Sequence, residues 1–316
     1  MTPSNEDLIA LLASANAAPP SAAPISTLST RSRSLADLAA QEPLPREWLV
    51  EGLIPMRTVT FISGDGGVGK SLLGQQLTMA AALGASWCGK AVRQVSSVAL
   101  YCEDDDSEVH RRSMNIARHL GVPLGDPRID EAHFNCEIER DNTMMISAWS
   151  GARHDGYRVT KVYRELREWA RATQARLVLI DSLHNVFSGN ENFRPEARAF
   201  VQALGNIARA IDGAVVVLAH PSQTGLDRGS GTSGSTAWNN AVRSRLYFTI
   251  PEPEVGMPQE GDRRLLTTVK ANYGRTGGAI ALRHRQDVFI VEEREKKHAP
   301  AWVRRRYGRA GSRRAS

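Results

Sequence analysis

The stretch RTVTFISGDGGVGKS, residues 57 to 71, constrains this chain more than any other. Thr58 to Ile62 alternate and are rich in β-branched residues, which reads as a buried strand. Gly64 to Ser71 then fit G-x-x-x-x-G-K-[ST] without a mismatch, and a helix-length stretch follows from Leu72 to Leu83. A strand, a glycine loop and a helix in that order make a phosphate site. Gly64, Gly66, Gly67 and Gly69 let the backbone bend around a triphosphate and aim its N–H groups inward. The helix N-terminus adds a partial positive charge. Gly64, Asp65, Gly66, Gly67, Val68, Gly69, Lys70, Ser71 and Leu72 are therefore the candidate nucleotide-binding residues. Lys70 is expected to reach the β- and γ-phosphates. The Ser71 hydroxyl is expected to complete a Mg²⁺ coordination shell.

Three further strand ends supply candidate chemistry. Ser97 to Tyr101 is a short apolar run that meets Cys102, Glu103, Asp104, Asp105 and Asp106. In a parallel sheet ligands sit at the C-terminal strand ends. A carboxylate there can polarise an attacking water, and Glu103 is assigned that role. Asp105 or Asp106 instead suits the cap of a helix from Ser107 to Leu120. Leu177 to Ile180 is a second buried run that ends in Asp181, the form expected of the acid associated with Mg²⁺. Ala214 to Ala219 is a third, followed by His220, which can sense a γ-phosphate. The small, polar stretch from Pro221 to Ser235 reads as a functional loop in which Arg228 can touch phosphates.

The remaining pattern is a mostly parallel sheet flanked by helices, closed late by antiparallel strands. Helices are expected over Val159 to Thr173, Phe193 to Ile211 and Thr236 to Ser244. Late strands are expected over Leu246 to Ile250, Arg264 to Ala271, Ala279 to Arg283 and Val288 to Val291. Ala132 to Ile138 reads as a strand and Gly151 to Tyr157 as a loop. Arg243, Arg245 and Lys270 fall near strand ends at the late edge, where a cation can reach a neighbouring subunit's nucleotide.

The 316 residues can bury one sizeable core with short appendages. Residues 1–42 are expected to be a flexible arm, with a short helix over Asn5 to Ala13. Residues 43–293 are expected to be the ATPase domain and 294–316 a basic tail. That tail has nine Lys/Arg against one acid, a balance of +8 that leaves −2 for the rest of a chain whose total is +6. Basic character is thus a property of the tail, which either binds nucleic-acid backbone or solubilises the chain. The three cysteines lie far apart, no apolar run reaches the length of a membrane span, and no signal pattern opens the chain. A cytoplasmic protein with no membrane partner is expected.

From Trp48 to Val291 the chain resembles the RecA-type ATPases, and more closely the RepA-like hexameric replicative helicases, AAA-type ATPases of plasmids and phages. The resemblance rests on GDGGVGKS, YCEDD, LVLIDSL, the GNEN at 189 to 192, VVLAHPSQTG, GSTAWNNAVRSRLYF and KANYG. It implies a RecA-like P-loop core, ATP with Mg²⁺ at subunit interfaces of a homo-oligomeric, hexameric ring, and action on single-stranded DNA alongside other replication proteins. By the same resemblance Lys70 and Ser71 are the phosphate-loop pair, Glu103 the water-activating acid, Asp181 the magnesium-associated acid and His220 the sensor. Arg243 or Arg245 is the finger acting in trans, with Lys270 a second cation. An ATP-switched DNA loader or regulator without unwinding activity is the alternative expectation.

Overall fold

The computed structural model describes residues 32–39, 41–137, 143–150, 155–191, 193–220, 236–253 and 260–292. The chain divides into two units, Met1–Arg46 and Glu47–Ser316. The described residues of the first hold one 3-10 turn, Ala36–Leu38, and all of them are exposed. The expected helix over Asn5 to Ala13, the loop from Pro221 to Ser235 with Arg228, and the tail from Arg294 lie outside the described residues.

In chain order the second unit opens with the hairpin β1 (Trp48–Val50) and β2 (Ile54–Pro55), then β3 (Val59–Gly64) and α1 (Lys70–Leu83). A small ribbon, β4 (Ser86–Trp87) and β5 (Lys90–Ala91), leads to β6 (Ser97–Tyr101), α2 (Asp106–Leu120) and β7 (Ala132–Asn135). There follow β8 (Ile146–Ser150), β9 (Asp155–Val159), α3 (Lys161–Ala172), β10 (Leu177–Asp181) and the single turn α4 (Leu183–Val186). The chain continues through α5 (Arg194–Ala210), β11 (Ala214–Ala219), α6 (Thr236–Ala241) and β12 (Ser244–Thr249). It closes with β13 (Arg263–Ala271), β14 (Ala279–Arg285) and β15 (Val288–Val291).

One nine-stranded sheet organises these elements in the order β15-β14-β13-β12-β3-β11-β10-β6-β7. Pairing is parallel from β12 to β7 and antiparallel from β12 out to β15. The fold is the expected mostly parallel sheet with late antiparallel strands. Every residue of β3, β6, β10 and β11 is buried. Continuous apolar runs of this kind are what a parallel strand needs when helices cover both of its faces.

Alternate strand residues feed two cores. Ile62, Leu179 and Leu218 pack with Leu73 and Leu77 of α1 on one face. Phe61, Val178 and Val217 pack with Leu166 of α3 and with Phe200 and Leu204 of α5 on the other. Trp238 of α6 is fully buried in the second core. Its ring lies 5.6 Å from Phe61, 4.9 Å from Phe187 and 5.9 Å from Phe200, centroid to centroid. The helices begin and end where local chemistry says they must. Asp105 caps α2 by accepting from Glu108 N, and Thr160 caps α3 by accepting from Tyr163 N. Gly84 and Gly121 close α1 and α2 in the left-handed region.

Three expectations need correction. The helix expected over Thr236 to Ser244 ends at Ala241, because Ser244 already opens β12. Asp155–Val159, whose first three residues fall in the stretch read as a loop and whose last was read as opening a helix, is a strand paired antiparallel with β8. The strand expected to run to Ile138 stops at Asn135. Here the ladder to β6 ends, because Leu100↔Asn135 is its last pair.

Trp238 ties α6 to the sheet through three aromatic neighbours. Trp238→Ala should therefore lower unfolding free energy by about 3–5 kcal/mol, measured by urea denaturation.

Candidate nucleotide site

Four parallel strands end at one level. Asp181 pairs with both Tyr101 and Leu218, and Ala219 pairs with Ser63. The phosphate loop, Glu103, Asp181 and His220 follow from or close those four ends, so the sheet itself gathers residues that are distant in sequence.

The loop is tightly built. A Cβ on Gly64 would sit 2.1 Å from the Phe248 carbonyl oxygen of β12. Gly69 caps α1 at φ 97°, and a Cβ there would lie 2.5 Å from the Phe289 ring of β15. Both positions demand glycine on steric grounds. Gly66 meets nothing within 4 Å, so shape alone does not require glycine there. The Val68 and Leu72 side chains are buried in the core, which leaves their main-chain groups to face a ligand. Arg264 of β13 donates to the Val68 carbonyl at 2.9 Å and supports the loop from behind. The Tyr247 hydroxyl donates to Asp65 Oδ1 at 3.3 Å. Gln76 of α1 bonds both backbone groups of Phe289, at 3.1 and 2.9 Å, and so clamps β15 onto the loop helix.

Lys70 is buried, and its ammonium donates to the carbonyls of Gly64 and Asp65 at 2.8 and 2.9 Å. Nζ is also 3.4 Å from His220 Nδ1. Loss of hydration holds the Lys70 pKa below its ordinary value, against the pull of Asp181, Asp65 and Glu103. His220 is exposed overall, yet partial desolvation, and then the Lys70 charge, hold its pKa low. Asp181 is buried and pushed up to about 6, first by desolvation. The Ser71 hydroxyl bonds Asp181 and works the other way, while the charges of Asp104 and Glu103 raise it further.

Glu103 is exposed and held by a group that the sequence did not single out. Ser182 Oγ donates to Glu103 Oε1 at 2.9 Å and lies 2.7 Å from Asn185 Oδ1. Arg112 takes Asp104 in a two-point ion pair. Asp104 is thereby committed to α2, and Asp105 to its cap, leaving Glu103 as the acid that faces the loop. The Asp-Ser-x-x-Asn spacing after β10 is the only local signal of the Ser182–Asn185 support.

The late-edge cations are placed differently. Arg245 pairs with Phe61 in mid-strand and is fully buried, with Nε and Nη2 donating to Ser63 Oγ at 3.3 and 3.4 Å. Arg243 precedes β12 and is exposed. Lys270 donates to the Asn239 carbonyl, and desolvation followed by the two arginines lowers its pKa. Arg243 and Lys270 lie at the start of β12, the sheet end opposite to this chain's own phosphate loop.

The donor set suits a nucleotide with Mg²⁺. The loop has positive φ at Gly67 and Gly69, and a buried cation sits at its centre. Ser71 and Asp181 offer hard oxygen ligands side by side, the type Mg²⁺ takes when phosphates and water fill its other positions. No cluster of three or more His, Cys, Asp or Glu able to hold a metal by itself occurs among the described residues.

Residues 24–225 match the AAA domain family. The chain belongs to that family. Its fold is that of a RecA-like P-loop ATPase. Among solved structures it resembles a KaiC-like protein, PH0186, of the hyperthermophilic archaeon Pyrococcus horikoshii OT3. The TM-score is 0.52 at 14% identity, over 79% of this chain and 100% of that one. Comparison with curated protein sequences gives no match. No helix among the described residues is long and apolar enough to cross a membrane.

Two outcomes follow from the geometry. Gly64→Ala should cost more than about 2 kcal/mol, because a backbone carbonyl cannot yield, whereas Gly66→Ala should change stability by less than about 0.5 kcal/mol. Folding raises the Asp181 pKa to about 6, so the folded chain gives up stability as pH rises toward that value and carries the whole cost above it. Asp181→Asn keeps an acceptor for Ser71 and removes the buried charge. It should stabilise the protein by on the order of 1–3 kcal/mol at pH 8 and by much less at pH 4, read from urea unfolding at both.

Proposed function

We propose that this chain is a Mg²⁺-dependent ATP hydrolase that assembles into a hexameric ring and translocates on or unwinds single-stranded DNA in plasmid or phage replication. The observation that carries the hydrolase reading is the convergence of Lys70, the Ser71–Asp181 pair, Glu103 and His220 at four adjoining strand ends. In this reading Lys70 leaves its carbonyl partners for the β- and γ-phosphates, and the main-chain N–H groups of the loop hold the other phosphate oxygens. Ser71 and Asp181 are the residues that would hold Mg²⁺ here, and the ion would supply charge to offset the phosphates. Glu103, oriented by Ser182, accepts a proton from the attacking water. His220, 3.4 Å from Lys70, registers whether that lysine is engaged.

The ring reading is supported by the placement of Arg243 and Lys270. They lie too far along the strands to serve the loop of their own chain, a placement that suits a contribution to the loop of another copy. Burial of Arg245 favours Arg243 as the finger. A cytoplasmic location and assembly with other replication proteins belong to the same proposal.

Lys70→Ala should abolish ATP turnover, and Glu103→Gln should lower kcat by about 10²–10⁴-fold while nucleotide binding persists. Arg243→Ala should also lower kcat. If it acts in trans, random equal mixing of Arg243→Ala and Glu103→Gln subunits should restore up to about a quarter of wild-type turnover, because some interfaces then carry both native groups. No recovery on mixing refutes the shared site. Turnover that single-stranded DNA does not stimulate refutes the motor reading and leaves the ATP-switched loader.

A further inference from the structure

A cavity of about 700 Å³ opens at the end of the sheet remote from the phosphate loop. It lies beside Arg57, Thr58 and Val59, where β3 begins, whereas the loop leaves β3 at Gly64. At about 3.3 Å per strand residue the two are roughly 15–20 Å apart. The pocket is therefore separate from the site built above.

Its lining is cationic. Arg57, Arg194, Arg198, Arg209 and Arg243 face it, and none of the described lining residues is acidic. Three of the arginines come from one helix. Arg194, Arg198 and Arg209 of α5 share its cavity face with Gln202 and Gly205, while Phe200, Leu204 and Ile207 of the same helix are buried in the core. The Arg209 guanidinium lies back along the helix over Gly205, where an added Cβ would meet it at an ordinary contact distance of 3.4 Å.

Only part of this charge is spent inside the protein. Arg57 pairs with Asp212 and Glu47, which lie outside the lining. Arg209 donates to the neutral Asn206. Arg198 and Arg243 are exposed, and among the described residues neither guanidinium has a carboxylate within ion-pair distance. Five guanidinium groups around one cavity repel one another, and an anion with several charges relieves that repulsion. Guanidinium forks match phosphate oxygens in geometry as well as charge. Tyr273 adds an aromatic wall of the kind on which a base can stack.

We propose that this pocket is a second phosphate-binding site, which takes the phosphates of a multiply charged ligand: the backbone of a nucleic-acid strand or the polyphosphate tail of a nucleotide. The site stands on its own arginines and does not require that the phosphate loop hydrolyse ATP.

The test uses full-length protein carrying Lys70→Ala, which silences the phosphate loop. Two probes are titrated at several salt concentrations: inorganic tripolyphosphate, and a fluorescent oligothymidylate followed by anisotropy. Binding of at least one probe should survive Lys70→Ala. Adding Arg198→Glu and Arg209→Glu should weaken it at least tenfold. For the oligonucleotide, the slope of log affinity against log salt should flatten by about one for each phosphate that the variant no longer neutralises. Arg198→Lys with Arg209→Lys should retain most of the binding, and thermal midpoints check that each variant folds. Loss confined to the oligonucleotide identifies a strand backbone, loss confined to tripolyphosphate identifies a polyphosphate tail, and equal loss of both supports a site that takes phosphates from either source. If neither probe binds the Lys70→Ala protein, or if folded charge-reversed protein binds within twofold of its parent at every salt concentration, the proposal is overturned. ATP turnover of the otherwise wild-type protein, measured separately, shows whether the hydrolase reading stands regardless.

Discussion

The structure depends on β3 being a central, wholly buried parallel strand between β11 and β12. A strand in that position has its backbone groups paired on both sides and its side chains committed to two cores. It cannot slide, because a slip of one residue would exchange Phe61 and Ile62 between faces. Its register therefore sets where the phosphate loop leaves the sheet. The same register brings β6, β10 and β11 to an end beside it, and the acids and the histidine arrive with them.

The site that results carries buried charge that desolvation disfavours. Lys70 is desolvated and satisfied by carbonyls. Asp181 is buried near Glu103 and Asp104, and its proton affinity rises accordingly. A polyphosphate beside Lys70 and a divalent cation beside Asp181 would answer both strains, which is why the same residues that cost folding energy suit the family's ligand. The antiparallel wing carries part of the load. Arg264 on the Val68 carbonyl, Gln76 on the Phe289 backbone and the Phe289 ring against Gly69 hold the loop in its shape. The wing is thus a buttress for the loop as well as an extension of the sheet.

Much of this is legible in the sequence alone. Ser97–Tyr101, Leu177–Asp181, Ala214–Ala219 and Val288–Val291 have the bounds that their apolar runs suggest. Buried parallel strands are continuous hydrophobic segments, recognisable without knowledge of their partners. The ribbon of β8 and β9 is hidden in the sequence, since Asp155, Gly156 and Arg158 leave β9 without the apolar alternation that marks a strand. At the site, Lys70, Ser71, Asp181, Glu103 and His220 were named from motifs. Ser182, Asn185, Arg264, Gln76 and Tyr247 were missed, since each acts through a contact made only after distant segments meet.

By itself the sequence determined that a glycine loop joins a buried strand to a helix, and that acids and a histidine follow other buried strands. These are local properties, set by side-chain size, charge and spacing. Tertiary structure alone decided that those strands end at one level and that Arg245 is buried while Arg243 is not. It alone gathered the five arginines around a cavity at the far end of the sheet. Register and burial depend on which strands become neighbours, and that choice is made by packing over the whole molecule.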